Sequence, residues 1–224
     1  MLRIKIIAVL SALTLMTTSA YAGFGFGVSG TGGLIDTGGS ETLKSTSVKS
    51  YGAEKEALAM PEVYVQWDIM GSGWTVGTSY VPVSADLGEN TKKRTHMTDA
   101  AGTQTLVTQK ASAKLKNHWR YYIETPGVFG GFYAGAAWSH VSLETNESLG
   151  TGASYGNEDV DGVTWELGYK HLLESGVLLK IAGNWTDYDD LTLKSAKEAT
   201  TNAQHTIEAQ SEVYGLKLSV GYQF

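Results

Sequence analysis

The sequence predicts an all-β protein, an eight-stranded antiparallel up-and-down transmembrane β-barrel. The first observation is the last strand, in which every second residue is apolar. Such period-two alternation is typical of a strand with one apolar and one polar face. The second is that short turns alternate with long polar segments along the chain. The third is that no internal apolar run is long enough for a transmembrane helix.

Residues 1–22 have the features of a secretory signal peptide. Arg3 and Lys5 give a basic start, and residues 6–16 form an apolar core too short to span a bilayer as a helix. Ala20-Tyr21-Ala22 then supplies a small-x-small cleavage site. We therefore expect an exported mature chain, residues 23–224, that forms one barrel domain.

Apolar and polar residues alternate in eight stretches of the mature chain, and each stretch predicts a strand. Most have about the 9–11 residues that a tilted transmembrane strand needs. The facing of the fifth strand stays open, because its alternation is ambiguous. The predicted strands are 23–30, 62–70, 74–81, 117–125, 129–143, 162–172, 177–186 and 214–224.

Short and long connections alternate strictly between these strands. Barrels of bacterial outer membranes have short periplasmic turns and longer extracellular loops. We therefore expect short turns on one side and four long external loops on the other. The short turns lie near 71–73, 126–128 and 173–176, and the predicted loops cover about 31–61, 82–116, 144–161 and 187–210.

Composition narrows the possible frameworks and partners. The chain has no cysteine, so disulfides cannot stabilise it after export. A closed barrel provides another framework, because every backbone group pairs with a neighbouring strand. The net charge of −6 argues against a nucleic-acid partner, since phosphate contacts need basic patches.

Aromatic residues cluster near the ends of the predicted strands, as two belts at the two lipid interfaces would require. The alternative is a soluble barrel of the lipocalin kind, whose apolar faces point inward. The two folds differ in whether the apolar residues face outward or inward. The signal peptide, the loop pattern and the terminal Phe224 favour the membrane barrel.

The polar faces carry charged residues that would share a narrow lumen. An unpaired buried charge costs several kcal/mol, so we expect these residues to pair or to contact water. An eight-stranded barrel has an interior that side chains just fill, so the charges either brace a plugged barrel or line a narrow pore. The predicted lumen charge network is Asp68, Arg120, Glu124, Glu166, Lys170, Lys180 and Lys217.

The terminal strand resembles the C-terminal assembly signal of Gram-negative outer-membrane barrels. With the signal-peptide ending and the alternating strands, the terminal Tyr222-Gln223-Phe224 makes the chain similar to the small eight-stranded barrels. These comprise the OmpA transmembrane domain and its OmpX- and OmpW-like relatives, and residues 145–152 resemble a recurring segment of marine bacterial members. The predicted assembly signal is Tyr214, Leu216, Leu218, Val220, Tyr222 and Phe224.

This resemblance implies a monomer in the cell outer membrane, in contact with outer-membrane lipids and lipopolysaccharide. It implies passage through periplasmic chaperones and the barrel-assembly machinery, and it implies no cofactor. The expected function is a structural and surface-interaction role, with a narrow low-conductance pore as an extension of it. The alternative is porin-like transport of small polar or hydrophobic solutes.

We expect no enzymatic activity and no metal site, with one enzymatic alternative. His140-Val141-Ser142 resembles the His-x-Ser element of outer-membrane lipid A deacylases. A histidine oriented by a carboxylate such as Glu144 or Glu147 could activate the serine hydroxyl for acyl transfer. A lipid A-modifying acyl hydrolase is therefore the third candidate function. The acidic runs at 158–161 and 187–190 are expected to be solvated loop segments.

Overall fold

A computed structural model describes residues 23–43, 48–97, 104–148, 154–196 and 204–224. They form a closed, all-antiparallel barrel without helices, as predicted. Among these residues no helix is long and apolar enough to cross a membrane. The predicted signal peptide, residues 1–22, lies outside the described part of the chain.

Nine strand segments form the eight strands of the barrel wall. Two of the segments, β3 and β4, pair with the same neighbour, β5, and are the halves of one strand interrupted at 82–84. The segments are β1 (Phe24–Leu43), β2 (Val48–Asp68), β3 (Thr75–Val81), β4 (Ala85–Met97), β5 (Gln104–Glu124), β6 (Phe132–Ser148), β7 (Glu158–Leu172), β8 (Val177–Lys194) and β9 (His205–Gln223).

Pairing of β1 with β9 closes the barrel. Following directly paired residues around the wall from Leu34 leads back to β1 at Phe24, ten residues earlier (34 minus 24). A stagger of this size is typical of barrels whose strands are inclined by roughly 35–45° to the barrel axis. The intervening residues on this path are Tyr214, Trp185, Trp165, Ala136, Ile123, Val76 and Trp67.

The apolar faces of the strands point outward. On β9, Leu216, Leu218 and Val220 are more than half exposed, whereas the alternating Lys217 and Ser219 are buried inside. A soluble barrel would show the reverse arrangement. The transmembrane interpretation is therefore confirmed, and the lipocalin-like alternative is wrong.

Aromatic side chains ring the outward face at two levels. At the level of the short turns, Phe24 contacts Trp67 with 4.9 Å between ring centroids. Towards the other end, the rings of Tyr80 and Trp119 lie 4.6 Å apart. Two such belts are the expected anchors of a barrel at the two membrane interfaces. We call the second level the outer belt, and its further members include Trp138, Trp185 and Tyr214.

The four segments predicted as long external loops are mostly strand. β1 and β2 stay paired up to Leu43 and Val48, and β8 and β9 stay paired up to Lys194 and Thr206. The prediction was wrong here because the outward residues of these extensions are mostly polar or small, as at Lys49, Ala53 and Lys55, so the alternation expected of a lipid-facing strand fades. The backbone ladder continues regardless, because antiparallel pairing needs only the main-chain amides and carbonyls.

Ion pairs link the extended strands beyond the outer belt. Lys49 Nζ lies 3.1 Å from the Glu208 carboxylate, and Lys55 Nζ lies 2.6 Å from that of Asp36. Hydrogen bonding to these carboxylates raises the pKa of both lysines above the ordinary value. The four side chains are solvent-accessible, so these ion pairs contribute little to the stability of the barrel.

The ambiguous fifth predicted strand is β6, which begins at Phe132 instead of residue 129. Phe129 has a positive φ of 48°, and the two following glycines also have positive φ, so this stretch is a turn. In β6, Tyr133 and Ser139 are buried inside the barrel, whereas Phe132 and Trp138 are exposed outside. This settles the facing that the sequence left open.

Candidate functional site: an apolar chamber above a buried charge network

Glu62 on β2 is the centre of the upper half of a buried charge network. It is 2% exposed, and Arg120 Nη1 lies 3.2 and 3.3 Å from its two carboxylate oxygens. Ser79 Oγ donates to it at 2.9 Å, and Lys217 Nζ lies 3.5 Å away. The sequence prediction omitted Glu62, although alternation along β2 puts it on the same inward face as Tyr64 and could have identified it.

Glu166 on β7 completes this upper half. Arg120 Nη2 and Lys217 Nζ each lie 3.6 Å from its carboxylate, and the Tyr133 hydroxyl donates to it at 2.6 Å. Arg120 and Lys217 therefore each contact two carboxylates. This arrangement gives every charged group an opposite partner, which a buried ion cluster requires.

The lower half of the network is built on Glu124 of β5. Lys180 Nζ lies 2.6 Å from one of its oxygens and Lys170 Nζ 3.6 Å from the other. Lys180 also donates to Gln66 Oε1 at 2.8 Å. The structure thus brings together six of the seven residues of the predicted network.

Asp68, the seventh, is not a member of the network. Its carboxylate accepts a hydrogen bond from the Gly73 amide at 3.3 Å and belongs to the turn after β2. The prediction was wrong at this residue because alternation gives the face of a side chain and not its height along the barrel axis. Asp68 ends β2 at the short-turn side, below the level of the paired charges.

The network closes the middle of the barrel. Lys180 Nζ lies 5.5–5.9 Å from the ring centroids of Tyr64, Tyr122 and Tyr133, which fill the space around it. The cavity beside Arg120 and Glu124 measures about 10 Å³, the room for one water at most. This geometry favours the plug over the narrow pore among the two arrangements that the sequence left open.

A layer of hydroxyl groups lies on the outer side of the charges. Thr164 Oγ1 is 3.2 Å from Ser139 Oγ and 2.8 Å from Thr186 Oγ1. His118 lies at the same end of the lumen, with its ring 6.4 Å from that of Tyr188. The polarity of the interior therefore decreases from ion pairs to neutral groups along the axis.

Beyond this layer the inward side chains become apolar. They form a packed cluster around Val141, which is 1% exposed. An apolar interior at the outer end was not predicted, because these residues fall mostly in segments assigned to loops. The cluster consists of Ile35, Leu58, Met60, Val81, Val141, Tyr188 and Val213, with Leu115 and Val160 against it.

The apolar cluster forms the floor of a chamber inside the extended strands. The chamber has a volume of about 340 Å³ and a predominantly apolar lining. Glu54 and Glu56 of β2 bring two carboxylates to one side of it. Among its apolar lining residues are Ile35, Leu115, Val141, Leu143, Leu191, Leu193 and Ile207.

The backbone ladder of the wall is interrupted between β2 and β4, and we call this interruption, at residues 59–61 and 82–84, the slot. The last paired residues of β2 and β3 are Val63 and Tyr80. Continuing this register by two residues would place Pro61 opposite Pro82, and neither proline has an N–H to donate. In the described part of the chain, β4 pairs with β5 and has no ladder with β2.

The slot begins at the level of the outer belt. Tyr80, two residues before Pro82, packs against Trp119 immediately below the slot on the outward face, with the two rings tilted by 38°. On the inward side, Met60 and Val81 are next to the two prolines and belong to the apolar cluster. The slot therefore lies next to the apolar cluster, at the level where the belt ends.

The predicted His-x-Ser element lies elsewhere, on the outward face of β6. His140 Nδ1 is 2.6 Å from the carboxylate of Asp161 on β7. Glu144, one of the two carboxylates predicted to orient His140, instead pairs with Lys116 at 2.5 Å. The side chain of the other, Glu147, is outside what the structure describes.

The residues of the predicted assembly signal form one outward row on the last strand. All six, from Tyr214 to Phe224, are at least 39% exposed. Phe224 also helps to close the barrel, since its amide donates to the Phe24 carbonyl at 2.9 Å and its carbonyl accepts from Gly23 N at 3.0 Å. A role in assembly remains a prediction.

No protein-family model and no curated protein sequence matches the chain. Among solved structures, the outer membrane protein OprG from Pseudomonas aeruginosa is similar with a TM-score of 0.54 and 13% identity, over 91% of this chain and 98% of OprG. This chain has the fold of a small outer-membrane β-barrel. The outer membrane protease OmpT from Escherichia coli aligns at 12% identity over 93% of this chain and 99% of OmpT, with a TM-score of 0.48.

Similarity at such low sequence identity shows the fold alone, so the function has to be inferred from the residues of the site. Within the described residues, no group of three or more histidine, aspartate or glutamate side chains is placed to hold a metal ion. The features that distinguish this barrel are therefore the charge network, the chamber and the slot.

Proposed function

We propose that this outer-membrane barrel binds small hydrophobic solutes in its chamber and exchanges them with the outer leaflet through the slot. The observation that carries the proposal is the chamber, an apolar space of about 340 Å³ in a lumen that is otherwise polar. Its volume is at the lower end of the roughly 300–1,000 Å³ of small-molecule sites. Each methylene transferred from water into it would contribute about 0.8 kcal/mol.

The route of the solute follows from what closes the barrel. Passage along the axis would require an apolar molecule to separate the ion pairs of Glu62, Glu124 and Glu166, which leaves buried charges without partners. The slot meets no such obstacle, because Met60 and Val81 line its inner side. Lateral exchange is therefore the route that the geometry supports best.

The transport alternative covered small polar or hydrophobic solutes, and we propose the hydrophobic ones. A polar solute would need a continuous wet lumen, whereas the cavity at the charge network holds about 10 Å³. The structural and surface-interaction role concerns the same external extensions and stays a prediction.

Photolabelling with a small apolar aryl diazirine tests the proposal on refolded full-length protein in detergent. We expect the label on chamber residues such as Val141 and Leu193 as well as on lipid-facing residues such as Leu218, with mass spectrometry locating each site. Labelling of outward residues serves as the internal control, because the probe also dissolves in the micelle.

A matched pair of variants separates the two kinds of labelling. Ala113→Trp fills the chamber and should remove the chamber label while leaving the outward label. Ala134→Trp adds the same ring on the outward face of β6, remote from the slot, and should change neither. Label confined to outward residues in the wild type would contradict the proposed function.

A further inference from the structure

Two of the three short turns carry an apolar side chain at the tip that contacts almost no other atoms. Met70, in the turn between β2 and β3, is 99% exposed, and Phe129, in the turn between β5 and β6, is 93% exposed. Outward residues of the wall are more covered by their neighbours, as at Leu218, which is 55% exposed. The chamber, the slot and the charge network use neither side chain.

Met70 has a backbone conformation that its side chain disfavours. The Ser72 amide donates to the Ile69 carbonyl at 2.9 Å and closes a tight turn. The central residues, Met70 and Gly71, have φ angles of 54° and 69°, and positive φ at both central positions is typical of a type I′ turn. The first of these positions favours Asn, Asp or Gly, because a larger side chain crowds the backbone there.

The turn between β5 and β6 repeats this arrangement. The Gly131 amide donates to the Val128 carbonyl at 3.0 Å, and the central residues have φ angles of 48° at Phe129 and 86° at Gly130. A bulky residue at positive φ is strained, and such strain is frequent at positions with a function. Each tip therefore departs from the residue that the backbone prefers and from the polar residue that water prefers.

The third short turn, between β7 and β8, has neither feature. The Gly176 amide donates to the Leu173 carbonyl at 2.9 Å. The central residues, Glu174 and Ser175, are polar and exposed, and the positive φ falls on Gly176, which has no side chain to crowd the backbone. A strained apolar tip is therefore not a requirement of a short turn in this barrel.

The two turns with apolar tips lie side by side. A Cβ atom placed on Gly73 would lie 3.0 Å from Pro126 Cβ, so the first turn packs closely against the start of the second. The strands that leave and enter these turns, β3 and β5, are also neighbours in the wall. The exposed apolar residues of both turns therefore occupy one region, which we call the turn patch: Ile69, Met70, Trp74, Val128, Phe129 and Phe132.

The turn patch is continuous with the aromatic belt at this end of the barrel. Trp74 and Phe132 directly follow the two turns and are exposed. Met70 lies four residues from Trp74, and Phe129 lies three from Phe132, so both tips are within roughly 13 Å of the belt. Such belts mark the boundary between lipid head groups and acyl chains. The leaflet that covers the belt is therefore the apolar phase within reach of both tips.

We propose that the turn patch inserts into the phospholipid leaflet on the short-turn side, with Met70 and Phe129 at the boundary between head groups and acyl chains. The partner is a lipid surface, and the contact is apolar, without recognition of a particular head group. Burial of the two side chains offsets the strain of their turns. Because both turns are on one side of the barrel, their insertion fixes its depth and tilt in the membrane.

Spin labels at single cysteines test the depth of the tips, since the chain has no native cysteine. Refolded full-length Met70→Cys and Phe129→Cys are placed in vesicles of phosphatidylethanolamine and phosphatidylglycerol. Oxygen concentrates in the hydrocarbon and a nickel chelate stays in water. We expect oxygen to relax both labels more than the chelate does, as at Leu218→Cys on the wall, and the reverse at Ser175→Cys in the third turn. Stronger relaxation by the chelate at both tips overturns the proposal.

A double substitution tests the native side chains by the sign of its effect. Asn tolerates positive φ, so Met70→Asn with Phe129→Asn relieves the backbone strain in either environment. Tips in water would then give a more stable barrel, whereas the loss of two inserted apolar side chains gives a less stable one. We expect the urea midpoint of the folded, heat-modifiable band to fall in the same vesicles.

The matched control is Glu174→Asn with Ser175→Asn, which changes the tip of the third turn and should leave the midpoint where it is. A midpoint of the tip variant equal to or above that of the wild type overturns the proposal. Neither measurement depends on binding of a solute in the chamber.

Discussion

Pro61 and Pro82 each lie two residues beyond Val63 and Tyr80, the last pair of the β2–β3 ladder, at positions that would continue its register. Because neither residue can donate a main-chain hydrogen bond, the wall stops being continuous at this level. Two of the three prolines of the chain therefore define one feature, and that feature opens beside an apolar chamber.

Replacing both prolines should extend the ladder and narrow the slot. Pro61→Val with Pro82→Val restores two N–H groups at positions that continue the register, so their amides should become protected from hydrogen exchange. Hydrogen–deuterium exchange over residues 58–61 and 82–85 measures the effect. Pro126→Val, in a turn remote from the slot, is the control and should leave the exchange there unchanged. Equal exchange in the double variant and the wild type would contradict the hydrogen-bonding account of the slot.

Removing Glu62 should destabilise the barrel strongly. Glu62→Ala leaves Arg120 and Lys217 with one carboxylate, Glu166, between them, and we expect a loss of about 3–5 kcal/mol in the free energy of unfolding. Urea titration of the refolded protein in detergent measures it. Asp68→Ala removes only a turn hydrogen bond and should cost about 1 kcal/mol. Similar losses in the two variants would argue against a central role for Glu62.

The plugged lumen should pass no steady ion current. In planar bilayers we expect the wild type to show no discrete open level, because tyrosine rings and ion pairs fill the cross-section at Lys180. Tyr122→Ala with Tyr133→Ala removes two of those rings and should give measurable openings. Sustained wild-type conductance would show that the lumen is wet and would favour porin-like transport.

Phe224→Lys should impair assembly of the barrel. Phe224 packs against Phe24, Phe26 and Tyr222 at the seam where β9 meets β1, and a charged side chain there would face lipid. We expect the variant to lack the heat-modifiable band and to accumulate in the periplasm. Tyr222→Phe keeps an aromatic residue in the same row and should assemble normally. Normal migration of Phe224→Lys would sink the interpretation of the last strand as an assembly signal.

The sequence predicted the strands of the barrel wall better than the arrangement of side chains in the interior. Between the belts, lipid dictates the outward residues, so Leu216, Leu218 and Val220 gave the strand and its facing correctly. Beyond the outer belt the outward residues do not contact lipid and need not be apolar. The alternation is therefore lost there, and the sequence predicted loops where the strands stay paired. The chamber was not predicted either, because Leu191 and Leu193 were assigned to a loop, whereas they are inward residues of a strand.

The charge network shows a second limit of alternation. Parity along each strand placed Arg120, Glu124 and Lys180 inside correctly. It could not say that Asp68 lies near the turn, since height along the axis depends on the stagger of all eight strands. Nor could it pair His140 with Asp161, because a cross-strand neighbour is known only once the register of β6 and β7 is known.

Closing the slot with a disulfide is the most direct test of the proposed function. The continued register would place Ala59 opposite Ser84, and the chain has no native cysteine to interfere. A bridge between Ala59→Cys and Ser84→Cys requires Cα atoms within about 7 Å, so it draws β4 against β2. Ala59→Cys with Gly32→Cys is the matched control, because it joins two strands that are already paired. In proteoliposomes, we expect uptake of a small hydrophobic solute to fall to the protein-free rate in the oxidised slot variant, to recover on reduction and to be unchanged in the control. Undiminished uptake through the bridged slot would contradict lateral exchange.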